Sequence, residues 1–216
     1  MDTTYLEKYN DALNRQKLQL ESYISTNTGS VPVPTEMSEV KTGKKNFLTD
    51  SGWVFIVLGA LAFVAGLVIG TDGLWIAGAI AITSGIYCII KGRQQLRREA
   101  FSGVVDDIVG SVDRIIADVS RTWTGFVRAQ NQALRSDIVT NDGDTAAKVA
   151  ELGKVTETAW YHVDMEKVRG TLDEAAAKEN LAALHSCLPK VGKILTASLD
   201  TAAHAQSDIY ASLTAS

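Results

Sequence analysis

The chain has 216 residues, of which 46% are hydrophobic and 21% are charged. Its net charge of −4 is unevenly spread, because from Glu99 onward 11 basic residues stand against 17 acidic ones, a net of −6. An acidic domain argues against a nucleic-acid partner. The two cysteines, Cys88 and Cys187, exclude a disulfide framework and fit a reducing compartment.

Residues 1–25 form one segment, in which an amphipathic helix is predicted from Thr3. Its apolar residues recur every three or four positions on one side. They are Leu6, Tyr9, Leu13, Leu20 and Ile24. The polar side carries charges of both signs, which favours packing on protein over lying on a lipid surface. Residues 26–51 are predicted to be a linker, because Pro32 and Pro34 exclude a helix there.

Residues 52–90 contain two apolar segments, 52–69 and 74–90, and neither has a charged side chain. At about 1.5 Å per residue, each helix would cover roughly 26 Å, near the lower limit for crossing a hydrocarbon core of about 30 Å. The alternative, two buried helices of a soluble protein, would require other parts of a small chain to cover both on all sides. We therefore predict a two-span transmembrane helical hairpin.

The flanks of the hairpin indicate its orientation. Tryptophans prefer the membrane interface, and basic residues collect on the inner side. The predicted membrane-interface anchors are Lys44, Lys45, Trp53, Trp75, Lys91, Arg93, Arg97 and Arg98. The turn between the segments has no lysine or arginine and carries Asp72. Both termini are therefore expected in the cytoplasm, or on the equivalent inner face of an organelle membrane.

Glycines recur every seven residues in both apolar segments, which keeps them close to one helix face. They form a predicted helix-packing or oligomer interface of Gly52, Gly59, Gly66, Gly78 and Gly85. Two interpretations remain open. The two segments pack on each other through this face, or neighbouring subunits use it, or both hold.

Residues 91–216 are predicted to be a cytoplasmic domain of antiparallel helices, a bundle or coiled-coil stalk, so that the whole chain is all-α. Its first helix continues from the second apolar segment. The apolar seam steps by four and three through Val105, Ile108, Val112, Ile115 and Val119, and then Thr122 and Phe126. Further helices are expected over 145–169, from Thr171 to Leu188 behind a capping box of Thr171 and Glu174, and beyond Pro189.

A row of arginines at seven-residue spacing lies one position before the seam residues. It consists of Arg114, Arg121, Arg128 and Arg135. We interpret it as a solvated face, with binding to anionic headgroups or to an acidic helix as the alternatives.

Residues with catalytic chemistry do not form a recognisable pattern. The three histidines, His162, His185 and His204, lack metal-ligand spacing, and neither a phosphate-binding glycine loop nor a nucleophile motif is present. We expect a protein that is not an enzyme and that uses neither cofactor nor metal.

The sequence favours a structural or interaction protein that anchors a helical domain to the lipid bilayer. It would assemble with itself as a homo-oligomer or serve as an accessory subunit of a larger membrane complex. The order of polar arm, two-lobed hairpin and helical domain resembles the layout of chlamydial inclusion-membrane proteins. The alternative is a pore-forming or membrane-disrupting effector such as a toxin, a holin-like protein or a defence protein. A channel or transporter is disfavoured, because the spans lack a polar lining.

Overall fold

The computed structural model describes residues 3–36, 47–69, 72–141 and 161–215. Over these residues the secondary structure is α-helical, as predicted, and contains no strand. The described residues contain five helices: α1 (Thr3–Gly29), α2 (Phe47–Ile69), α3 (Asp72–Asn141), α4 (Met165–Ala176) and α5 (Leu181–Ala215). The predicted continuation of the second apolar segment is confirmed, because α3 is one helix of 70 residues.

The chain divides into two compact units. Residues 34–106 form the hairpin unit, and residues 1–33 together with 107–216 form the bundle unit. Helix α3 contributes its first half to the hairpin unit and its second half to the bundle unit.

Helix α1 packs along α5 in the bundle unit, and the two run antiparallel. Asn10 accepts a hydrogen bond from Ser207 at 3.4 Å, and Lys17 forms an ion pair with Asp200. All five predicted apolar residues of α1 are buried, which confirms that this helix lies on protein within the unit. They are Leu6, Tyr9, Leu13, Leu20 and Ile24.

Helix α1 is also antiparallel to the second half of α3. Tyr9 donates to Asp137 at 2.7 Å near the start of α1, and Tyr23 donates to Asp118 at 3.2 Å near its end. Because α1 is antiparallel to both α3 and α5, those two helices run parallel to each other. The fully antiparallel order that we expected is therefore wrong. The chain returns between α3 and α5 through the connection that contains α4, and α4 packs on α5.

The buried stripe of α3 changes its repeat along the helix. Ile108, Val112, Ile115 and Val119 are buried as predicted, but Val104 is buried in place of Val105, which is half-buried. After Val119 the stripe continues in steps of four, four, four, three and four. It passes through Trp123, Val127, Asn131, Leu134 and Ile138.

The predicted seam residues Thr122 and Phe126 lie off this stripe, since Thr122 is exposed and Phe126 is half-buried. From Val119 to Ile138 the five steps cover 19 residues, about 3.8 residues per turn, against 3.5 for a seven-residue repeat and 3.6 for a straight helix. A strict seven-residue repeat needs a supercoil to keep one face inward. After Val119 the stripe departs from the seven-residue repeat, so that Trp123 is buried and Thr122 is not.

Helix α4 begins and ends at other places than predicted. Of the helix expected over 145–169, residues 145–160 lie outside the described residues, residues 161–164 are not helical, and α4 begins at Met165. The carboxylate of Asp164 caps it by accepting from the backbone N–H of Lys167 at 3.0 Å. Helix α4 continues through Gly170, and the hydroxyl of Thr171 donates to the carbonyl of Lys167, so the predicted capping box is wrong.

The break falls instead between α4 and α5, where Glu179 adopts a positive φ of 45°. Asn180 then caps α5, with its side-chain oxygen accepting from the N–H of Ala182 at 2.9 Å. Helix α5 runs through Pro189, which we expected at a boundary. Gly192 lies beside Thr28 of α1, and a methyl group added at Gly192 would lie 2.9 Å from the Thr28 hydroxyl oxygen.

Candidate functional site

Two glycines of α2 lie directly opposite two glycines of α3 in the hairpin unit. A methyl group added at Gly52 would lie 2.8 Å from the carbonyl oxygen of Gly85, and one added at Gly59 would lie 2.8 Å from that of Gly78. Methyl groups added at Gly85 and Gly78 would each lie 2.7 Å from the opposite carbonyl oxygen. A side chain at any of these positions would push the two backbones apart. Glycine is therefore required by the close approach of α2 and α3.

The two pairs place α2 and α3 antiparallel, and their seven-residue spacing puts both pairs on one face. The face that these four glycines form is thus filled within one chain, as the first of the two interpretations expects. Gly66 belongs to α2, but its surroundings lie outside the described residues.

The outer surface of the hairpin consists of large apolar side chains that are 45–64% exposed. They are Trp53, Val54, Phe55, Val57, Leu58, Leu61, Val64, Leu67, Ile76, Ile80, Ile86, Tyr87 and Ile90. Both helices are long and apolar enough to cross a membrane, yet only 11% and 17% of their most apolar 18-residue windows are buried. A core helix of a soluble protein would be mostly buried. This apolar surface therefore needs a covering that the chain's described residues do not supply.

The predicted interface anchors that the structure describes lie on the surface of the hairpin unit. Lys91, Arg93, Arg97 and Arg98 are exposed on α3. Trp53 is exposed on α2. Lys44 and Lys45 lie outside the described residues, and Trp75 belongs to α3 but its side chain is outside them too.

Thr83, a polar residue inside the apolar part of α3, hydrogen-bonds to its own helix. The hydroxyl of Thr83 donates to the carbonyl oxygens of Ala79 at 3.1 Å and Ile80 at 2.9 Å. Such a bond within the helix removes the donor from any water-lined path. The described outer surface of the hairpin accordingly offers apolar contact rather than a polar stripe.

The bundle unit contains a buried polar layer that the sequence analysis missed. We define it by Asn131 of α3 with Gln206 and Tyr210 of α5, all at most 3% exposed. Asn131 Oδ1 accepts from Gln206 Nε2 at 2.8 Å and from the Tyr210 hydroxyl at 3.1 Å. Asn131 Nδ2 and Gln206 Oε1 have no hydrogen-bond partner among the described residues. The layer is therefore only half satisfied, which is costly in an apolar surrounding.

Helix α1 reaches the same end of the bundle through Tyr9. Its ring lies 6.3 Å from that of Tyr210, and its hydroxyl donates to Asp137. Burial, and then the neighbouring Asp137 carboxylate, raise the pKa of Tyr9 well above its ordinary value. Tyr9 therefore stays a neutral hydrogen-bond donor at physiological pH. Around these groups lies one apolar cluster formed by residues of all three helices, namely Leu6, Tyr9, Leu134, Ile138, Tyr210 and Leu213.

Groups that could carry catalysis or hold a metal are scattered over the described residues. No set of three histidine, cysteine, aspartate or glutamate side chains is close enough there to hold a metal ion. The three histidines are exposed, Cys88 is half-buried, and burial raises the pKa of the Cys187 thiol. All four arginines of the predicted row are exposed, and Arg121 lies 3.8 Å from Asp118 of its own helix.

Comparison with protein-family models, with curated proteins and with solved structures found no match for this chain.

Proposed function

We propose that the chain is a non-enzymatic membrane anchor, whose hairpin unit inserts into a lipid bilayer and whose bundle unit is an interaction domain. The observation that carries the proposal is the apolar surface of the hairpin. Its helices approach through bare backbone at the glycine pairs, so their large side chains point outward. Leucine, isoleucine, valine and phenylalanine each favour the mid-membrane by about 0.3–0.6 kcal/mol, which makes lipid the natural covering for that surface.

The bundle unit supports an interaction role rather than chemistry. Its buried layer joins α3 to α5, and Tyr9 brings α1 to the same end, so the domain presents fixed outer faces. We propose that these faces assemble with further copies of the chain or with other subunits of a membrane complex. Both termini are proposed to lie on the inner face, because Lys91, Arg93 and Arg97 follow the second apolar segment.

A matched pair of leucines tests membrane insertion. Leu61 on the hairpin is 64% exposed, and Leu18 on α1 of the bundle unit is 63% exposed. A charged residue at mid-span costs about 2.5–3.5 kcal/mol on insertion. Leu61→Arg should therefore release much of the full chain from membranes at alkaline pH, whereas Leu18→Arg should remain in the pellet with the unsubstituted protein. Release of the unsubstituted chain, or equal behaviour of the two variants, would sink the proposal.

Assembly is tested separately by the mass of the particle extracted in mild detergent. A multiple of the 23.2 kDa chain would support self-assembly, and other chains at a fixed ratio would support an accessory subunit. A lone 23.2 kDa species in every extraction would remove the assembly part of the proposal and leave the anchor.

A further inference from the structure

Basic residues lie at the open end of the hairpin, where α2 begins and the apolar part of α3 ends. A methyl group added at Gly92 of α3 would lie 2.6 Å from the hydroxyl oxygen of Thr49, so these two residues mark that end of the contact between α2 and α3. From this end toward the apolar part of the hairpin, Trp53 lies four residues beyond Thr49 on α2, and Tyr87 lies five residues beyond Gly92 on α3. At about 1.5 Å per residue, both aromatic rings start some 6–8 Å from the open end.

The cations begin where the aromatic residues end. Lys91 and Arg93 flank Gly92, and Arg97 and Arg98 follow by about 8–9 Å along the helix. Trp53 is 56% exposed and Tyr87 is 61% exposed, and the ammonium of Lys91 lies 5.7 Å from the centroid of the Tyr87 ring. The order from the apolar surface outward is therefore apolar, aromatic, basic. This is the order of chemistry that a bilayer presents from its core to its headgroups.

The four cations fall into two pairs around α3. At 100° per residue, Arg93 and Arg97 lie within about 40° of each other, and Lys91 and Arg98 within about 20°. Gly92, which faces α2, lies about 110–120° from the centre of either pair. One pair of cations therefore lies on each side of the contact between α2 and α3.

Each pair concentrates like charge on one side of α3. Two arginines four residues apart repel each other on a helix, unless an anion lies between them. Helix α3 has no acidic residue between Asp72 and Glu99, Glu99 directly follows Arg98, and α2 contributes Asp50 near this end. A phosphate group carries the charge and the acceptor oxygens that an arginine pair fits.

Resting on the proposed insertion of the hairpin, we infer that this surface binds the headgroups of anionic phospholipids. We call it the headgroup-binding surface. It consists of Lys91, Arg93, Arg97 and Arg98, with Trp53 and Tyr87 on the side of the apolar segments. The occupant is a lipid phosphate rather than a soluble one, because the aromatic rings place the cations at headgroup depth. Each basic residue near an anionic surface is expected to contribute about a fivefold preference, before screening.

The test uses the full chain reconstituted into vesicles of phosphatidylcholine and phosphatidylglycerol. Quenching of tryptophan fluorescence by brominated forms of each lipid gives the relative association of the two, and Trp53 is the reporter nearest the cations. We expect phosphatidylglycerol to be preferred several-fold at low salt. The preference should shrink near 0.5 M salt, because exposed charges are then screened within about 4–5 Å.

The arginine row of the bundle unit supplies a control of equal charge. Replacing Lys91, Arg93, Arg97 and Arg98 by glutamine should abolish the preference, bringing the ratio close to one. Replacing Arg114, Arg121, Arg128 and Arg135 by glutamine removes the same four charges and should leave the preference unchanged. Equal association of both lipids with the unsubstituted chain would overturn the inference, and so would equal loss in the two variants.

Alkaline extraction of the same vesicles keeps the two proposals apart. A chain that is released from the vesicles contradicts the membrane anchor itself. A chain that stays inserted but shows no lipid preference contradicts only the headgroup-binding surface.

Discussion

The side-chain amide of Gln206 on α5 donates a hydrogen bond of 2.8 Å to Asn131 on α3 inside the bundle unit. The two residues are 0% and 3% exposed. Since α3 and α5 run parallel, an apolar stripe on each helix could be matched in several offsets. The side chains of Asn131 and Gln206 meet in only one of these offsets. Polar core residues are known to fix helix register in this way. We infer that the pair selects the alignment of α3 with α5 at some cost in stability.

Removing one partner of this pair should destabilise the bundle more than removing both. Gln206→Leu leaves the buried Asn131 with the Tyr210 hydroxyl as its remaining donor, and we expect a loss of about 1–3 kcal/mol in the free energy of unfolding. Asn131→Leu combined with Gln206→Leu should recover part of this loss, because apolar replacements of a buried polar pair are often neutral or better, while the Tyr210 hydroxyl loses its acceptor. Chemical denaturation of the full chain in micelles, followed by circular dichroism, measures both. Strictly additive losses would show that the pair does not act as a unit.

A second prediction concerns the close approach of the hairpin helices. A methyl group at Gly59 would lie 2.8 Å from the Gly78 carbonyl oxygen, whereas one at Gly110 would meet nothing within 4 Å. Gly59→Ala should therefore loosen the hairpin and speed amide hydrogen exchange in α2. Gly110→Ala should leave that exchange unchanged and add up to about 1 kcal/mol of stability, because alanine is the better helix former. Similar exchange in the two variants would contradict the glycine-mediated contact.

The third prediction tests the change of repeat in α3. Trp123 is 0% exposed, while its neighbour Thr122, which a seven-residue seam would bury, is exposed. Trp123→Ala should cost about 3–5 kcal/mol in the free energy of unfolding, because it leaves a large cavity. Thr122→Ala should change the free energy of unfolding by less than about 0.5 kcal/mol, as surface substitutions do. Urea denaturation of both variants gives the comparison, and the opposite ranking would restore the seven-residue seam.

The sequence predicted those features that depend on one helix at a time. The face of α1 and the seam from Ile108 to Val119 follow from periodicity alone, since any partner must cover the apolar side. The glycine pairs also left a readable signal. In an antiparallel pair of helices, opposed positions have numbers with a constant sum, and Gly52 with Gly85 gives the same sum as Gly59 with Gly78.

The features that the sequence did not predict depend on several helices together. Asn131 looks like a solvent-facing residue until α3 and α5 are aligned, because only a partner amide makes its burial tolerable. The departure from the seven-residue repeat after Val119 has the same origin. Thr122 and Trp123 are adjacent in the chain. Which of the two side chains is buried depends on where the neighbouring helices leave room for an indole.

The last prediction concerns the start of α4, where the sequence analysis placed the cap at Thr171 and the structure places it at Asp164. The Asp164 carboxylate accepts from the N–H of Lys167 and lies at the positive end of the helix dipole. Asp164→Ala should therefore lower the free energy of unfolding by about 1 kcal/mol. Thr171→Ala removes only a hydroxyl that bonds the carbonyl of Lys167 within the helix, and alanine is the better helix former there. Thermal unfolding should thus show a lower midpoint for Asp164→Ala and an unchanged or slightly higher one for Thr171→Ala. A larger loss at Thr171 would return the start of the helix to that residue.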